Sequence, residues 1–212
     1  MTDFYKFIID NQTVLFAALR QHIFITLAAV FIGAVLAIPF GIYLTRKPRI
    51  ANPVMAAVGV SQTIPSLVLF GIAMPVFGIG VNTALIVLVI YSIFPILRNT
   101  FTGINGVSGK YKEAAKGMGM SSKQVLLDVE IPLAMPLIIT GIRISTVYII
   151  SWATLAALIG GGGLGDLIFT GLQTYNYNMI LLGAVPACIL ALAANGIIGL
   201  LQKVAVPKGL NK

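Results

Sequence analysis

The chain has 212 residues, of which 58% are hydrophobic and only 9% are charged. Because a soluble domain carries about 25% charged residues, this chain could not cover its surface in water, and lipid must be the solvent for much of it. Its net charge is +8, but the charges lie in short loops between apolar runs, which argues against a nucleic-acid interface.

The first apolar run is predicted to be a retained membrane helix over residues 23–44. This run carries no charge, and it is longer than the apolar core of a signal peptide. A helix needs about 20 apolar residues to cross the hydrocarbon layer. Residues 4–19, which precede the run, are expected to form an interfacial helix on the outer surface, with His22 solvated at the membrane border.

The second uncharged stretch is long enough for two crossings. Between Arg49 and Arg98 the chain has no charged residue. At about 1.5 Å per residue, a helix of this length would reach roughly 70 Å, which is twice the thickness of the hydrocarbon layer. Proline, glycine and asparagine around residues 75–82 mark a break. We therefore predict a second span over 53–75 and a third over 82–97.

A polar segment over residues 98–132 separates these spans from two further apolar runs. The two runs predict a fourth span over 134–159 and a fifth over 179–201. The whole chain, residues 1–212, is thus predicted to be one all-α integral membrane domain with about five transmembrane helices.

The distribution of lysine and arginine predicts the orientation in the membrane. These residues are gathered in the loop after the first span, in segment 98–132 and in the C-terminal tail, whereas the turn at 75–82 has no charge and the loop at 160–178 has only Asp166. Cytoplasmic loops carry the excess of positive charge. The N-terminus is therefore expected outside and the C-terminus inside. The tail cations are Lys203, Lys208 and Lys212.

Segment 98–132 has the local signals of two short cytoplasmic helices. The composition of residues 110–117 suits a helix, and Gly119 permits a turn with positive φ. Ser121 is a candidate N-cap with Gln124 at the reciprocal position of a capping box, and Pro132 is expected to end the second helix. These signals predict a rigid helical hairpin.

The same segment carries a spaced motif. It reads Glu113-Ala114-Ala115, three residues, Gly119, nine residues, and then Val129-Glu130-Ile131-Pro132. This resembles the EAA loop of ABC importer permeases, in which Glu-Ala-Ala, three residues, Gly and nine residues precede Ile-x-Leu-Pro. The resemblance implies that the hairpin docks on a separate ABC ATPase subunit and transmits its motion. The alternative is a surface hairpin with no partner. The residues expected to couple the two subunits are Glu113, Ala114, Ala115, Gly119, Ile131 and Pro132.

Beyond this loop, the sequence resembles one branch of these permeases. Segments 61–66, 96–100 and 151–154 are similar to the glycine betaine/carnitine/choline (osmoprotectant) branch, whose fold is similar to that of methionine-type importers. The resemblance implies import of a small quaternary amine across the bacterial cytoplasmic membrane. It also implies an extracytoplasmic substrate-binding protein and a second permease, identical or homologous, within the lipid bilayer.

Polar and aromatic residues in the spans are candidates for lining the translocation pathway. Aromatic faces attract quaternary ammonium ions by about 0.5–2 kcal/mol, although ordinary helix packing is the alternative. Arg143, inside the fourth span, is expected to have a structural role. The glycine run Gly160, Gly161, Gly162 and Gly163 is a candidate external gate or hinge, with a flexible loop as the alternative. The pathway candidates are Gln62, Ser66, Tyr91, Tyr148, Ser151 and Trp152.

No catalytic pattern is found in the sequence. The Walker A motif is absent, so the chain is not expected to be an enzyme, and ATP hydrolysis is assigned to the partner subunit. Cys188 is the single cysteine, which excludes an internal disulfide and a cysteine metal site, and no cofactor or metal is expected. The alternative functions are a small ATP-independent channel or facilitator, an ABC permease for another small solute, and a membrane anchor.

Overall fold

The structure is a computed structural model that describes residues 2–205, all of whose regular elements are helical. The basic tail residues Lys208 and Lys212 lie outside the described part. A π-helical turn, Val125–Glu130, joins α7 to α8, and a 3₁₀ turn, Ala156–Ile159, follows α8. The helices are α1 Thr2–Asp10, α2 Gln12–Thr45, α3 Pro48–Val60, α4 Ser66–Phe77, α5 Val81–Asn105, α6 Gly109–Gly117, α7 Ser122–Gln124, α8 Ile131–Leu155, α9 Leu164–Gln173 and α10 Tyr177–Ala205.

Four helical segments of the described chain are long and apolar enough to cross a membrane: Gln12–Thr45, Val81–Asn105, Ser122–Ile159 and Tyr177–Val204. The predicted spans 23–44, 82–97, 134–159 and 179–201 each lie within one of them. The all-helical membrane architecture is therefore confirmed.

The predicted second span, 53–75, is not one continuous helix. α3 ends at Val60 and α4 begins at Ser66 with only 12 residues. Proline at position 65 has no backbone N–H and disfavours the helical conformation of the residue before it. A helix therefore cannot continue regularly through residues 64 and 65, and a turn over residues 61–64 separates α3 from α4. Hydrogen bonds from α5 hold the break: the Tyr91 hydroxyl donates to the Ile64 carbonyl at 2.7 Å.

The N-terminal prediction also changes. Residues 4–19 do not form one interfacial helix, because α1 ends at Asp10 and the remaining residues belong to α2. The Asn11 side chain donates to the Phe7 carbonyl at 2.9 Å and so completes the end of α1. His22 consequently lies well inside a long packed helix, and it is buried rather than solvated.

Segment 98–132 is less separate from the spans than the sequence suggested. α5 continues to Asn105, and Pro132 does not end a helix, because α7, the π-helical turn and α8 follow one another directly. In the π-helical turn the Ile131 N–H donates to the Leu126 carbonyl, five residues back. Pro132 has no backbone N–H, so a regular α-helix would leave the carbonyl four residues before it without a donor. The π-helical spacing compensates for this missing hydrogen bond.

The core is formed where α5 packs between α2 and α8. Small residues let the backbones approach closely, as is usual for membrane helices. Ser92 on α5 links all three helices: its hydroxyl donates to the Ala29 carbonyl at 3.1 Å, and its own carbonyl accepts from the Ser145 hydroxyl at 3.1 Å. α10 packs on α8 and α9 at the side of this core.

We expect Gly141→Ala to destabilise the protein. A Cβ at Gly141 would lie 2.8 Å from the Asn99 Cβ and 2.9 Å from the Pro95 carbonyl oxygen, so α8 would have to move away from α5. Overpacking of this kind typically costs about 1–3 kcal/mol. Gly196→Ala is the matched control, because a Cβ there meets nothing within 4 Å. Thermal unfolding in detergent should show a lower midpoint for Gly141→Ala alone, and equal midpoints would contradict the close α5–α8 contact.

Candidate functional site

Two helices and a tight turn form a hairpin over residues 109–124, which we call the coupling hairpin after the role expected of it from the sequence. Gly119 in the turn has φ +85°, as predicted from its position in the sequence. The predicted capping box is also present: the Ser121 hydroxyl accepts the Gln124 N–H at 3.4 Å, and the Gln124 side-chain oxygen accepts the Ser121 N–H at 2.8 Å. Both local predictions are confirmed, since they depend on residues close in sequence.

The residues predicted to couple to an ATPase divide into an outward and an inward group. Glu113 and Ala114 are exposed, and so is Gly119, whereas Ala115 is buried. Ile131 packs against a small apolar cluster that includes Ile104 and Ala134. Met118 is 77% exposed beside the turn. Its exposure was not predicted from the sequence. An exposed methionine next to a tight turn offers a flexible apolar contact for a partner.

A buried ion cluster at the base of the hairpin was not predicted. Glu130 in the π-helical turn is 1% exposed, and both its carboxylate oxygens contact the guanidinium of Arg46, just beyond α2. The Lys112 ammonium on α6 lies 3.2 Å from the same carboxylate. The cluster therefore ties α2, α6 and the start of α8 together. A carboxylate between apolar residues at the edge of a spanning run was the available signal, but the sequence did not identify its partners.

Next to this cluster is a basic cavity of about 370 Å³. Four cations and a single carboxylate, that of Glu130, line the cavity, so it carries excess positive charge. Val125 and Leu126 form its apolar wall. The arrangement would attract acidic groups to this end of the molecule. The cations are Arg46, Lys112, Lys116 and Lys123.

Four of the six pathway candidates lie together in an aromatic cluster formed by Gln62, Tyr91, Tyr148 and Trp152. The Trp152 ring lies between Tyr91, at 4.4 Å between ring centroids, and Tyr148, at 5.6 Å. The Gln62 amide donates to the Tyr91 carbonyl at 3.1 Å. Tyr91 is buried, while Tyr148 is 47% exposed. Tyr148 is therefore the most accessible ring of the cluster, and Trp152 is only partly exposed.

The other two pathway candidates lie apart from this cluster. Ser66 is the first residue of α4. The Ser151 hydroxyl donates to the Val147 carbonyl at 3.3 Å, and Ser151 lines a separate cavity of about 250 Å³ between α8 and the helices α9 and α10. Neighbouring residues on a helix point about 100° apart, which explains why Ser151 lines this cavity while Trp152 packs in the aromatic cluster.

The glycine run is packed rather than loose. Gly160, Gly162 and Gly163 have positive φ, which residues with side chains rarely adopt. The run lies against α2: the Gln21 amide donates to the Gly161 carbonyl at 3.2 Å, and a Cβ on Gly163 would come within 3.0 Å of the His22 ring. His22 itself contacts the Ile150 carbonyl at 3.1 Å. Contacts with α2 therefore hold the backbone of this run in its conformation.

Arg143 connects α8 to α10. Its Nε donates to the Asn195 side-chain oxygen at 2.6 Å. About two turns further along α10, the Gln202 amide donates to the Pro136 carbonyl at 2.9 Å and to the Thr140 hydroxyl at 3.0 Å. This contact between two helices agrees with the structural role expected for Arg143 from the sequence.

Within residues 2–205, no group of histidine, cysteine, aspartate and glutamate side chains is arranged to hold a metal ion. The features found are an exposed hairpin, an ion cluster beneath it, an aromatic cluster and a packed glycine run. α8 connects them, because it begins at the ion cluster and ends next to the glycine run.

Comparisons with known proteins agree with this arrangement. A chain of the MetNI methionine ABC transporter, solved in inward-facing conformations, superposes with a TM-score of 0.81 at 21% identity, covering 92% of this chain and 98% of that one. The expected methionine-type importer fold is therefore confirmed.

Two relatives are similar in sequence over almost the whole chain. The carnitine transport permease protein OpuCB of Listeria monocytogenes is 48% identical over 192 residues, covering 91% of this chain and 88% of that protein. The glycine betaine/carnitine/choline transport system permease protein OpuCB of Bacillus subtilis (strain 168) is 44% identical over 210 residues, covering 99% and 97%. The family model described as "binding-protein-dependent transport system inner membrane component" matches residues 29–209. The chain belongs to this family and is a multi-pass permease subunit of an ABC transporter in the bacterial inner membrane.

Proposed function

We propose that this permease imports a small osmoprotectant of the quaternary amine class: glycine betaine, carnitine or choline. The observation that carries the proposal is the 48% and 44% identity with permeases named for carnitine and for glycine betaine/carnitine/choline transport. The aromatic cluster supports it, since Tyr148 and Trp152 present faces that attract ammonium groups by about 0.5–2 kcal/mol. Such weak contacts suit a conduit, because a tight site would retain the solute.

The driving force comes from a separate ATPase, which docks on the coupling hairpin. The exposed Glu113 and Ala114, with Met118 beside them, form the contact surface, and the basic cavity attracts acidic groups of the partner. This places the hairpin and the C-terminus in the cytoplasm and the N-terminus outside, in agreement with the distribution of positive charge. The chain itself is not the enzyme.

A second permease, identical or homologous, completes the pathway, and an extracytoplasmic binding protein delivers the solute. Several helix faces are covered with large exposed apolar residues, which suits contact with lipid and with another membrane subunit. The packed glycine run 160–163 lies at the external end of α8 and serves as a gate or hinge.

α8 carries the motion from the ATPase to the pathway. Because α7 continues through the π-helical turn into α8, a push on the hairpin moves the helix that bears Tyr148 and Trp152. When the ATPases close on ATP, the two permeases rock and open the cavity outward, and hydrolysis reverses the movement.

The proposal is tested by uptake into proteoliposomes that contain the permease with its ATPase and binding protein. We expect ATP-dependent uptake of at least one of glycine betaine, carnitine and choline, and none of an unrelated amino acid. Uptake that persists without ATP would indicate a channel or facilitator. ATP-dependent uptake of the unrelated solute alone would contradict the substrate class but keep the importer. No transport from a correctly assembled complex would favour a membrane anchor.

A further inference from the structure

A groove of about 330 Å³ lies between α8 and α10 and contains a single charged side chain, Arg143. Arg143 lies twelve residues beyond Ile131, the first residue of α8, or about 18 Å along the helix axis. The charge is therefore well inside the hydrocarbon layer. The groove is lined by Thr140, Arg143, Ile144, Val147, Tyr148 and Asn195.

Among the residues that the structure describes, the charge of Arg143 has no acidic counterpart. Its hydrogen bond goes to the neutral amide oxygen of Asn195, and among residues 2–205 the ion pairs within 4 Å all involve Glu130. A cationic side chain at this depth is costly, so such residues face a bundle interior or a water-filled cavity and mark the paths of solutes and ions. In the proposed pair of permeases, this rule places Arg143 toward the cavity that the two subunits share, and the hydrogen bond to Asn195 holds its guanidinium in place.

The same groove contains an aromatic side chain that attracts positive charge. Tyr148 lines the groove together with Arg143, and its ring packs against Trp152. The two groove residues are five positions apart, which corresponds to about 7.5 Å along the helix. One end of the groove therefore favours an anion, since a guanidinium matches a carboxylate in shape and charge, and the other end favours an ammonium group.

We infer that Arg143 meets the carboxylate of zwitterionic solutes as they pass, while Tyr148, packed against Trp152, meets their quaternary ammonium group. This inference rests on the proposed function. It separates the proposed substrates into those that carry a carboxylate and those that do not. Glycine betaine and carnitine carry a carboxylate, whereas choline carries a hydroxyl group in its place. Arg143 therefore assists the two zwitterions and gives choline no such assistance.

The test compares Arg143→Gln with wild type in the complete importer, reconstituted in proteoliposomes, with the binding protein saturated by each solute in turn. Arg143→Gln should lower the uptake of glycine betaine and carnitine about ten-fold relative to choline. The ratio between solutes is measured within each variant, so a lower yield of folded complex does not affect it. Gln202→Leu is the matched control, because it breaks the neighbouring α8–α10 hydrogen bonds without removing a charge, and it should leave the ratio unchanged.

Each outcome supports or overturns the inference. An equal loss of uptake for all three solutes in Arg143→Gln would overturn the inference. Arg143 would then only connect α8 to α10, and the proposed function would still hold. Wild-type uptake of choline alone would overturn it as well. If wild type carries only the two zwitterions, Arg143→Lys should retain more uptake than Arg143→Gln, and equal loss would overturn the inference. Failure of wild type to carry any of the three would instead contradict the proposed function.

Discussion

Gly119→Ala should reduce solute uptake about ten-fold while leaving the amount of inserted permease unchanged. Gly119 has φ +85°, and a Cβ at this position would meet nothing within 4 Å, so a side chain would strain the backbone without disturbing any packing. For a residue with a side chain, this conformation costs about 1–2 kcal/mol, which corresponds to a factor of roughly ten in the equilibrium constant between this turn and other backbone conformations. The strained turn would displace the exposed surface of α6 relative to α7.

Gly117→Ala is the matched control for this substitution. Position 117 is the last residue of α6, and a Cβ there also meets nothing within 4 Å. Because its backbone is helical, alanine is favourable by up to about 1 kcal/mol, and uptake should stay at the wild-type level. Both variants are compared by ATP-driven uptake per inserted protein and by co-purification with the ATPase. Wild-type uptake in Gly119→Ala would count against the coupling role of the hairpin.

Glu113 in the same hairpin can be tested in parallel. Its side chain is exposed and forms no ion pair within the part of the chain that the structure describes. Its replacement by glutamine should therefore leave the permease fold unchanged and weaken only the contact with the partner. A loss of uptake with normal insertion would assign the carboxylate to the interface.

The hairpin was predictable because its signals are local. Gly119 supplies a turn, and Ser121 and Gln124 satisfy each other's backbone groups only three residues apart, so the sequence contains the whole motif. The break at Pro65 was not predicted, because the high apolar content of residues 53–75 suggests a single span. A single proline within such a run does not by itself indicate that the helix is interrupted. The role of Pro132 was also predicted incorrectly, since the π-helical turn that accommodates it depends on the packing of the hairpin.

Long-range contacts could not be read from the sequence. Arg46 and Glu130 are 84 positions apart, and each is an ordinary charge in its own segment. The aromatic cluster was predicted as a set of residue types, but only the structure separates Ser151 from Trp152 and shows that Tyr91 is covered. In both cases the missing information is the way α2, α5 and α8 pack.

The ion cluster leads to the second large effect. Arg46→Met combined with Lys112→Met should destabilise the permease by about 3–5 kcal/mol, the range for breaking a buried ion pair by removing one side. The reason is that Glu130 has 2% of its side chain exposed, so its carboxylate would be left charged and unpaired. The expected consequence is a hairpin that is no longer fixed to α2, and therefore ATP hydrolysis with little uptake.

Removing the carboxylate instead should be less harmful. In Glu130→Gln the two cations lose their partner, but the Arg46 side chain is 47% exposed and regains water. The expected loss is about 1.5–3 kcal/mol, the range for hydrogen bonds to charged groups. Adding Glu130→Gln to the Arg46→Met, Lys112→Met pair should restore part of the stability, since an amide is less costly to bury than an unpaired charge.

The control for this series is Arg49→Met combined with Lys110→Met. Both cations are exposed and neither belongs to an ion pair within residues 2–205, so the change in net charge is the same without loss of a buried contact. Thermal unfolding midpoints and the ratio of uptake to ATP hydrolysis are measured for each variant. If the control pair were as damaging as the cluster pair, net charge would be responsible. If Glu130→Gln failed to improve the cluster pair, the buried carboxylate would not be the source of the instability, and the connection between hairpin and α2 would have to lie elsewhere.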